Sequence, residues 1–522
     1  MTVVTLERLG QALHEIRQRC PDLPLLAIRW MHIKHPLHET QERLLQREGH
    51  AAWQVAAWRG RLTRVRRLGQ CVVYACLVSV RLARMRWLVR RQMAMLARRP
   101  FDVLARTWCF GTERPHDDRD FYYGDLQQRL AQRNVQMLLL CGDVSGKVRG
   151  GFARGQVAVS PLARMPDLCL VHPLAPFHMM AKQLLTCWRL WRLRRKEADP
   201  LIRAILAFAG RDCLAPDTAL TGLLFWVGRA AARTWGPKAV VTFYEGQAYE
   251  SCLWRGVKAA QASCQTVGYQ HTVLLRHNLA LLGAEDRRAV VAQPDVVLCL
   301  GPETQAMLRP SHPRAKLVVF GTFRQLPDAA QRHAPRPQVR VALVVPESGL
   351  IPESQALFQF TLRAARALPD YRFLFRCHPI MPFARLRPLL PEPPEELPNL
   401  EVSQTASIAD DFARSSVVLY RGSSSVLYAV LHGLKPVYVR LARCPDGDPL
   451  FELDGWRERA SSVDELAQVL RRYAAVAAED ARRQWRDAAR YVERYTTAVS
   501  EASVEALCSA VGLSSAGAPC GA

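Results

Sequence analysis

Lysine is scarce in this chain: only eight of its 71 basic side chains are Lys, against 63 Arg. Paired cysteines are missing too. Fifteen Cys is an odd number, with no C-x-x-C pair and no Cys/His cluster at zinc-ligand spacing, so neither a disulfide framework nor a structural metal site is indicated. Reduced, mostly buried thiols in the cytoplasm are the expectation. Long apolar runs are absent as well. The longest, Leu68 to Val80, has 13 residues and is too short to span a bilayer, and the N-terminus carries Glu7 without a signal-type apolar core. A soluble or peripheral protein is expected, and no repeat at a solenoid period is visible.

What is present is charge of one sign. The 71 bases exceed the 47 acids by 24, which points to an anionic partner or surface. Coding bias toward Arg would explain part of the excess but not its distribution. Twelve Arg and no acid lie between Arg59 and Arg99. A helical wheel over Arg81 to Arg99 gathers Leu82, Met85, Val89, Met93 and Leu96 within about 80° and sets Arg84, Arg91 and Arg98 opposite. The stretch from Lys182 to Lys196 adds Trp188 and Trp191 beside a basic end. Both segments read as basic amphipathic helices on an anionic membrane surface, the alternative being helices packed on the core with a solvated charged face.

With 522 residues, 49% of them hydrophobic, the chain can fill two cores. Short apolar runs alternate with helix-length amphipathic stretches, the pattern of parallel strands joined by crossover helices. Strands are expected at Leu25 to Trp30, Val135 to Cys141, Leu168 to His172, Ala239 to Tyr244, Gln265 to Gln270, Val296 to Leu300 and Lys316 to Phe320. A second series comprises Val339 to Val345, Arg372 to Arg376, Leu400 to Ser403, Val417 to Tyr420 and Pro436 to Val439. The reading is an α/β chain of two Rossmann-like domains facing a cleft. Residues 1–324 form the first, with a basic helical insertion near 53–100. A polar, Pro-bearing linker follows at 325–338, then the second domain at 339–478, a long helix from Glu479 to Ser500 and a disordered tail at 512–522.

Candidate chemistry sits where strands end. Pro379 terminates the strand from Arg372 and leaves His378 at the carboxyl edge of a parallel sheet, where open α/β folds bind ligands. The strand Val417 to Tyr420 leads into Arg421-Gly422-Ser423-Ser424-Ser425 and an apolar helix. Helix-start N–H groups, three hydroxyls and the close approach that Gly422 permits suit a phosphate, although Ser there is also an ordinary cap.

These residues, with Gly433 to Val437 downstream, resemble the donor half of GT-B glycosyltransferases. The nearest patterns are the HP and SS motifs of bacterial sialyltransferases and polysialyltransferases, and the R-x-H-P and Ser pair of CDP-glycerol polymerases. The resemblance implies that His378 contacts the nucleotide and phosphate of an activated sugar, that Ser423, Ser424 and Ser425 hold the departing phosphate, and that no metal or cofactor takes part. Tyr428 stands where many relatives carry a ribose-binding Glu. The resemblance also implies that the long helix from Glu479 to Ser500 crosses back onto the first domain.

In the first domain, Tyr244-Glu245-Gly246 resembles the acidic motif that carries the sialyltransferase base, with Tyr244 in place of its first acid. Gly268 to Thr272 resembles a Q-H-G turn, with Thr272 in place of Gly. Glu245 is the first choice for the base and His271 the second. Glu250, on the following helix, is a candidate for orienting the acceptor, with surface exposure the alternative. Phe320-Gly321-Thr322-Phe323-Arg324 resembles the V-G-x-x-R turn that faces the donor phosphate, which makes Arg324 the candidate clamp. The implied function is a metal-independent inverting transferase. It would use a nucleotide-activated sugar, with CMP-linked sugars among the donors, in bacterial surface polysaccharide or lipopolysaccharide O-antigen synthesis. Its partners would be the donor, a lipid-linked or polysaccharide acceptor and an anionic membrane, without nucleic acid, at the inner face of the cytoplasmic membrane. A non-catalytic, membrane-associated scaffold of the same shape is the alternative.

Overall fold

The computed structural model describes residues 6–19, 50–109, 119–143, 163–276, 278–282, 293–327, 332–346, 351–378, 381–441 and 446–513. The chain forms two compact units: Met1–His271, Asn278–Arg324 and Ala498–Ala522 in the first, Thr272–His277 and Gln325–Thr497 in the second. The expected strand at Leu25 to Trp30 lies outside the described residues.

The first unit is built on a seven-stranded, wholly parallel sheet: β1 (Val103–Cys109), β2 (Met137–Asp143), β3 (Ala163–Pro166), β4 (Ala239–Phe243), β5 (Gln265–Tyr269), β6 (Val296–Cys299) and β7 (Lys316–Val319). The order across it is β3-β2-β1-β4-β5-β6-β7. A chain that winds outward from a central first strand in both directions is a doubly wound sheet, with its switch point between β1 and β4. Alternation along β1 sorts side chains between two cores. Leu104 joins Leu138, Leu140 and Val240 on one face, while Val103 and Ala105 join Met137, Leu139 and Val241 on the other.

Parallel sheets are covered on both faces. The Leu104 face is covered by α2 (His50–Leu88), α3 (Arg90–Ala97), α5 (Ala175–Lys196), α7 (Pro216–Trp235) and α8 (Ala248–Ala260). Two further helices, α1 (Leu6–Arg19) and α6 (Pro200–Asp212), form a satellite cluster with Leu190 of α5. The other face takes α4 (Leu126–Ala131) and residues near the C-terminus. Where α7 and α8 cross, a Cβ on Gly256 would lie 2.0 Å from the Phe225 carbonyl oxygen and one on Gly228 would lie 2.2 Å from that of Leu253. The two glycines therefore set the interhelical distance.

Three sequence expectations are corrected here. The apolar run Leu168 to His172 is not a strand, because Asp167–Leu170 is a 3-10 turn that follows β3. The central strand β1 was not expected at all, since Arg106 and Thr107 interrupt its apolar pattern. Arg106 is buried nonetheless, paired with Asp167 at 2.9 Å and stacked 3.9 Å from the Trp108 ring.

The third correction concerns the stripe from Leu82 to Leu96. The helix is interrupted at Val89 (φ −98°, ψ 9°), although the bonds from Val89 N to Met85 O and from Met93 N to Val89 O keep the same course. Leu82, Val89 and Leu96 are at most 3% exposed within the first core, and Met85 and Met93 pack against it. Burying each of the three is worth about 1.5–3 kcal/mol, and that gain is taken in the sheet-covering core rather than in lipid. Arg84, Arg91 and Arg98 are exposed, as are Trp188 and Trp191.

The second unit holds a six-stranded parallel sheet: β8 (Val341–Val345), β9 (Arg372–Phe375), β10 (Leu400–Val402), β11 (Val417–Tyr420), β12 (Lys435–Val439) and β13 (Glu458–Ala460). Its order, β10-β9-β8-β11-β12-β13, repeats the doubly wound plan with the switch point between β8 and β11. The Phe358 ring stacks on Phe375 at 4.0 Å. Gly433, with φ +78°, packs against the backbone at His333 to Pro335, so this part of the expected linker lies on the second unit.

The C-terminal helix also differs from expectation. It runs Ala478–Tyr495 and stays with the second unit, donating from Trp485 Nε1 to the Val430 carbonyl at 2.6 Å. The segment that rejoins the first unit begins at Ala498. Its helix, Glu501–Ala510, buries Val504, Leu507 and Cys508 beside Val318 of β7 and Leu130 of α4. Within the expected tail Leu513 is buried, and 514–522 lie outside the described residues.

Candidate functional site

In the first unit the candidates gather at the carboxyl edge of β4 and β5. The register pairs Phe243 with Tyr269, so Glu245 and His271 each stand two residues beyond the last aligned pair. They therefore emerge side by side, with Glu245 Oε1 3.5 Å from His271 Nε2 and side-chain exposures of 20% and 10%. Aromatic rings wall the imidazole: Phe243 at 4.6 Å, Tyr122 edge-on at 5.1 Å and Tyr269 at 6.0 Å. Tyr122 is placed by Asp120, whose Oδ1 accepts the Tyr122 and Tyr123 N–H groups at 2.8 and 2.9 Å. Burial raises the Asp120 carboxyl above its usual range against the pull of these bonds.

Glu250 corrects an expectation. It does not orient an acceptor on the surface, because it is fully buried in the first turn of α8. Its Oε1 accepts the Glu245 N–H at 2.9 Å, and its Oε2 accepts those of Gly246 and Gln247 at 3.0 Å each. One carboxyl thus holds the turn that presents the other, and Gly246 supplies the left-handed conformation the turn needs, at φ +79°. Burial pushes the Glu250 acid equilibrium well above the carboxylate range. The three N–H bonds pull it down, and the Glu245 charge pushes it up. The Glu245 carbonyl accepts from Asn278 Nδ2 at 2.9 Å, which closes the far side of the turn.

One departure from the sequence motifs has a structural explanation. Tyr244 is buried with its hydroxyl 2.6 Å from His312 Nε2, so this position builds the core. Gln270 is also buried, and its Oε1 accepts from Leu300 N at 3.0 Å, tying the His271 turn to the end of β6. Arg324 is exposed beyond β7, away from Glu245 and His271 along the sheet order. The preceding Phe323 packs against Gly124, while the Tyr269 hydroxyl donates to the Gly321 carbonyl at 3.0 Å.

In the second unit the candidates flank the switch point. His378 is exposed after β9, and the serines follow β11, with β8 between the two strands. Gly422 has φ +55° and donates its N–H to the Gly447 carbonyl at 2.8 Å. The Ser423 and Ser425 hydroxyls are 2.6 Å apart, both half-buried, and Ser424 is the N-cap residue of the helix Ser425–Leu431 without capping it by its side chain. The loop Glu347-Ser348-Gly349 after β8 lies outside the described residues, as does Pro379.

Two arginines of the motifs serve as anchors. Arg376 Nη1 donates to the Thr405 carbonyl and hydroxyl, each at 2.7 Å, and to Asp411 at 3.0 Å, fixing the end of β9 just before His378. Arg421, not singled out from the sequence, is 1% exposed. It donates to Glu353 at 2.9 Å and to the Val439 carbonyl at 2.7 Å, which fixes the start of the serine turn. Its position between a strand and a Gly-Ser turn was a usable signal, but burial of an Arg cannot be read from spacing. Among the described residues no group of three His, Cys, Asp or Glu side chains is arranged to hold a metal.

No protein-family model matches the chain, and no curated protein matches it in sequence. Solved structures do align with it. The glycotransferase of kitacinnamycin has 13% identity over 79% of this chain and 99% of its own, with a TM-score of 0.43. The UDP-GlcNAc 2-epimerase from Neisseria meningitidis, solved bound to UDP-GlcNAc, has 10% identity over 79% and 100%, with a TM-score of 0.41. The glycosyltransferase SnogD from Streptomyces nogalater has 16% identity over 79% and 100%, with a TM-score of 0.40.

Proposed function

We propose that the protein is a GT-B-type glycosyltransferase that moves a sugar from a nucleotide donor to a hydroxyl acceptor. The observation that carries this reading is the carboxylate–imidazole pair of Glu245 and His271 at the carboxyl edge of β4 and β5 in a doubly wound sheet. A partly exposed carboxylate backed by an imidazole is suited to accept the proton of a sugar hydroxyl. In the proposed step Glu245 takes that proton, the acceptor oxygen bonds to the anomeric carbon, and the bond from that carbon to the donor phosphate oxygen breaks. A single displacement of this kind inverts the anomeric centre. The nucleoside phosphate leaves with the electron pair, and its charge is met by the hydroxyls of Ser423, Ser424 and Ser425 and by His378, a role for protein donors that needs no metal.

A hydroxyl pair after β11 and an exposed imidazole after β9, on strands that flank β8, support the donor assignment. CMP-linked sugars are the first donors to test, with a lipid-linked or polysaccharide acceptor of a bacterial surface polymer such as O-antigen. A thermal-shift series with CMP, CDP, UDP and GDP tests the reading, because a ligand of the native state raises its stability by mass action. One nucleotide raises the midpoint, and His378→Ala and the Ser423→Ala/Ser424→Ala double variant weaken its binding by about 1–3 kcal/mol per lost charge-assisted contact. Equal shifts in wild type and both variants would remove the donor site from these turns.

A further inference from the structure

We propose that the helical layer of the first unit seats the protein in the interface of an anionic lipid bilayer, through faces of α2 and α5 turned away from the core. The segment Arg66–Leu88 of α2 is long and apolar enough to cross a membrane. It does not present itself to lipid all round. Cys71, Ala75, Val78 and Leu82 are buried along one side, and Cys71 donates its thiol to the Leu214 carbonyl at 3.1 Å. The rest of the circumference carries Leu68, Val72, Val73, Leu77, Val80 and Trp87, each between 41% and 70% exposed. Helix α2 therefore has two apolar faces, and the core uses one.

Helix α5 repeats the arrangement. Met179, Gln183, Thr186 and Leu190 are buried, whereas Phe177, Leu184, Leu185, Trp188 and Trp191 are exposed along the other side. Spacings of three, four and seven residues gather these five into a single stripe on the helix. Hydrophobic side chains in this number, on two neighbouring helices, mark an interaction surface rather than scattered exposure.

Charge identifies the occupant. The uncharged run from Leu68 to Val80 is bounded by Arg66 and Arg67 at one end and Arg81 and Arg84 at the other, and α5 contains no acid. Because Cys71, Ala75, Val78 and Leu82 hold one side of the segment in the core, only the remaining surface can meet lipid, which fits a helix lying in the interface and not one crossing the bilayer. The Arg192 and Arg195 guanidiniums lie over the Trp188 and Trp191 rings, each at 4.8 Å, which pairs an interfacial indole with a cation for lipid phosphate. A second copy of this chain docked face to face would oppose Arg to Arg, so self-association is disfavoured by like charge.

The inference does not depend on the transferase reading, because none of these residues takes part in the proposed chemistry. Flotation of the full chain with vesicles of phosphatidylcholine alone, or of phosphatidylcholine with phosphatidylglycerol, tests it. Binding is expected to the anionic vesicles at low salt, to fall at least tenfold in 0.5 M salt, and to be weak on the neutral ones. The exposed variant Val73→Ser/Leu77→Ser/Val80→Ser is expected to lose at least tenfold in vesicle affinity, as is Arg81→Gln/Arg84→Gln/Arg192→Gln/Arg195→Gln. Circular dichroism and an unchanged thermal unfolding midpoint serve as controls that both variants fold. Absence of flotation with anionic vesicles at low salt overturns the proposal. So does binding that the serine variant retains in full, which would reduce the contact to charge alone, or a dimer in solution that the serine variant dissolves.

Discussion

Replacing Glu250 by Gln tests how the candidate base is held. The wild-type carboxyl accepts three main-chain N–H groups of the turn Glu245 to Gln247 from a fully buried position. A glutamine in the same place can keep two of them by turning its carbonyl toward Gly246 and Gln247. Its NH2 then faces the Glu245 N–H, and one buried donor is left without an acceptor, at about 1–3 kcal/mol. The opposite flip would strand two donors and cost about twice as much.

The pH dependence of this loss has a definite sign. Burial raises the native acid equilibrium of Glu250 well above its ordinary value of 4.5. Above that value the unfolded chain releases a proton that the native protein retains, so stability falls as pH rises. The contribution of Glu250 is complete below about pH 4.5 and disappears as pH climbs through the native value. Because Gln does not titrate, the stability gap between wild type and Glu250→Gln should be widest in acid and narrow toward alkaline pH. Urea unfolding across a pH series measures the gap, and hydrogen exchange at the amides of residues 245–247 shows whether the turn itself has loosened. A gap that widened with pH would mean that the N–H donors outweigh burial and that the reasoning about this carboxyl is wrong. No gap together with unchanged exchange would remove Glu250 from the support of Glu245.

Glu245→Gln should leave the nucleotide-induced thermal shift intact and lower transfer by a factor of about 10² to 10⁴ in a single-turnover assay with the donor that binds. Full turnover in this variant together with loss in His271→Ala would exchange the two roles. Gly256→Ala, which in an open helix would gain about 1 kcal/mol, should instead destabilise the first unit by about 1–3 kcal/mol or more, because its Cβ would meet the Phe225 carbonyl. A raised melting temperature would contradict the close crossing of α7 and α8. Arg421→Ala leaves the Glu353 carboxyl without its 2.9 Å partner in the interior and should cost about 3–5 kcal/mol, read as earlier unfolding and proteolysis of the second unit. An unchanged urea midpoint would show that the pair does not hold the serine turn.

The sequence located most strands within one or two residues, β4 to β9, β11 and β12 among them. Strands buried on both faces must be continuous apolar runs, and such runs stand out from amphipathic helices. It failed at β1 and β3, which contain Arg106 and Arg164, and at β13, which contains Glu458 and Arg459, and it took the apolar turn after β3 for a strand. A buried Arg is tolerated only with its partner, and the Asp167 that neutralises Arg106 lies 61 residues away in the chain.

By itself, the sequence determined which residues stand at strand ends: His378, the serines after Gly422, Glu245 and His271. The period of the strands and the breaks that end them are local properties. Tertiary structure alone decided how those positions are set against one another within each unit. It set Glu245 beside His271 through the register of β4 and β5 and buried Glu250 beneath the turn that carries Glu245. It also turned the stripe from Leu82 to Leu96 into the sheet while leaving Leu77, Val80 and Trp188 to solvent. An apolar side chain reads the same whichever surface it faces, and a carboxyl reads the same buried or exposed. The choice belongs to the packing partner, and that partner comes from distant parts of the chain.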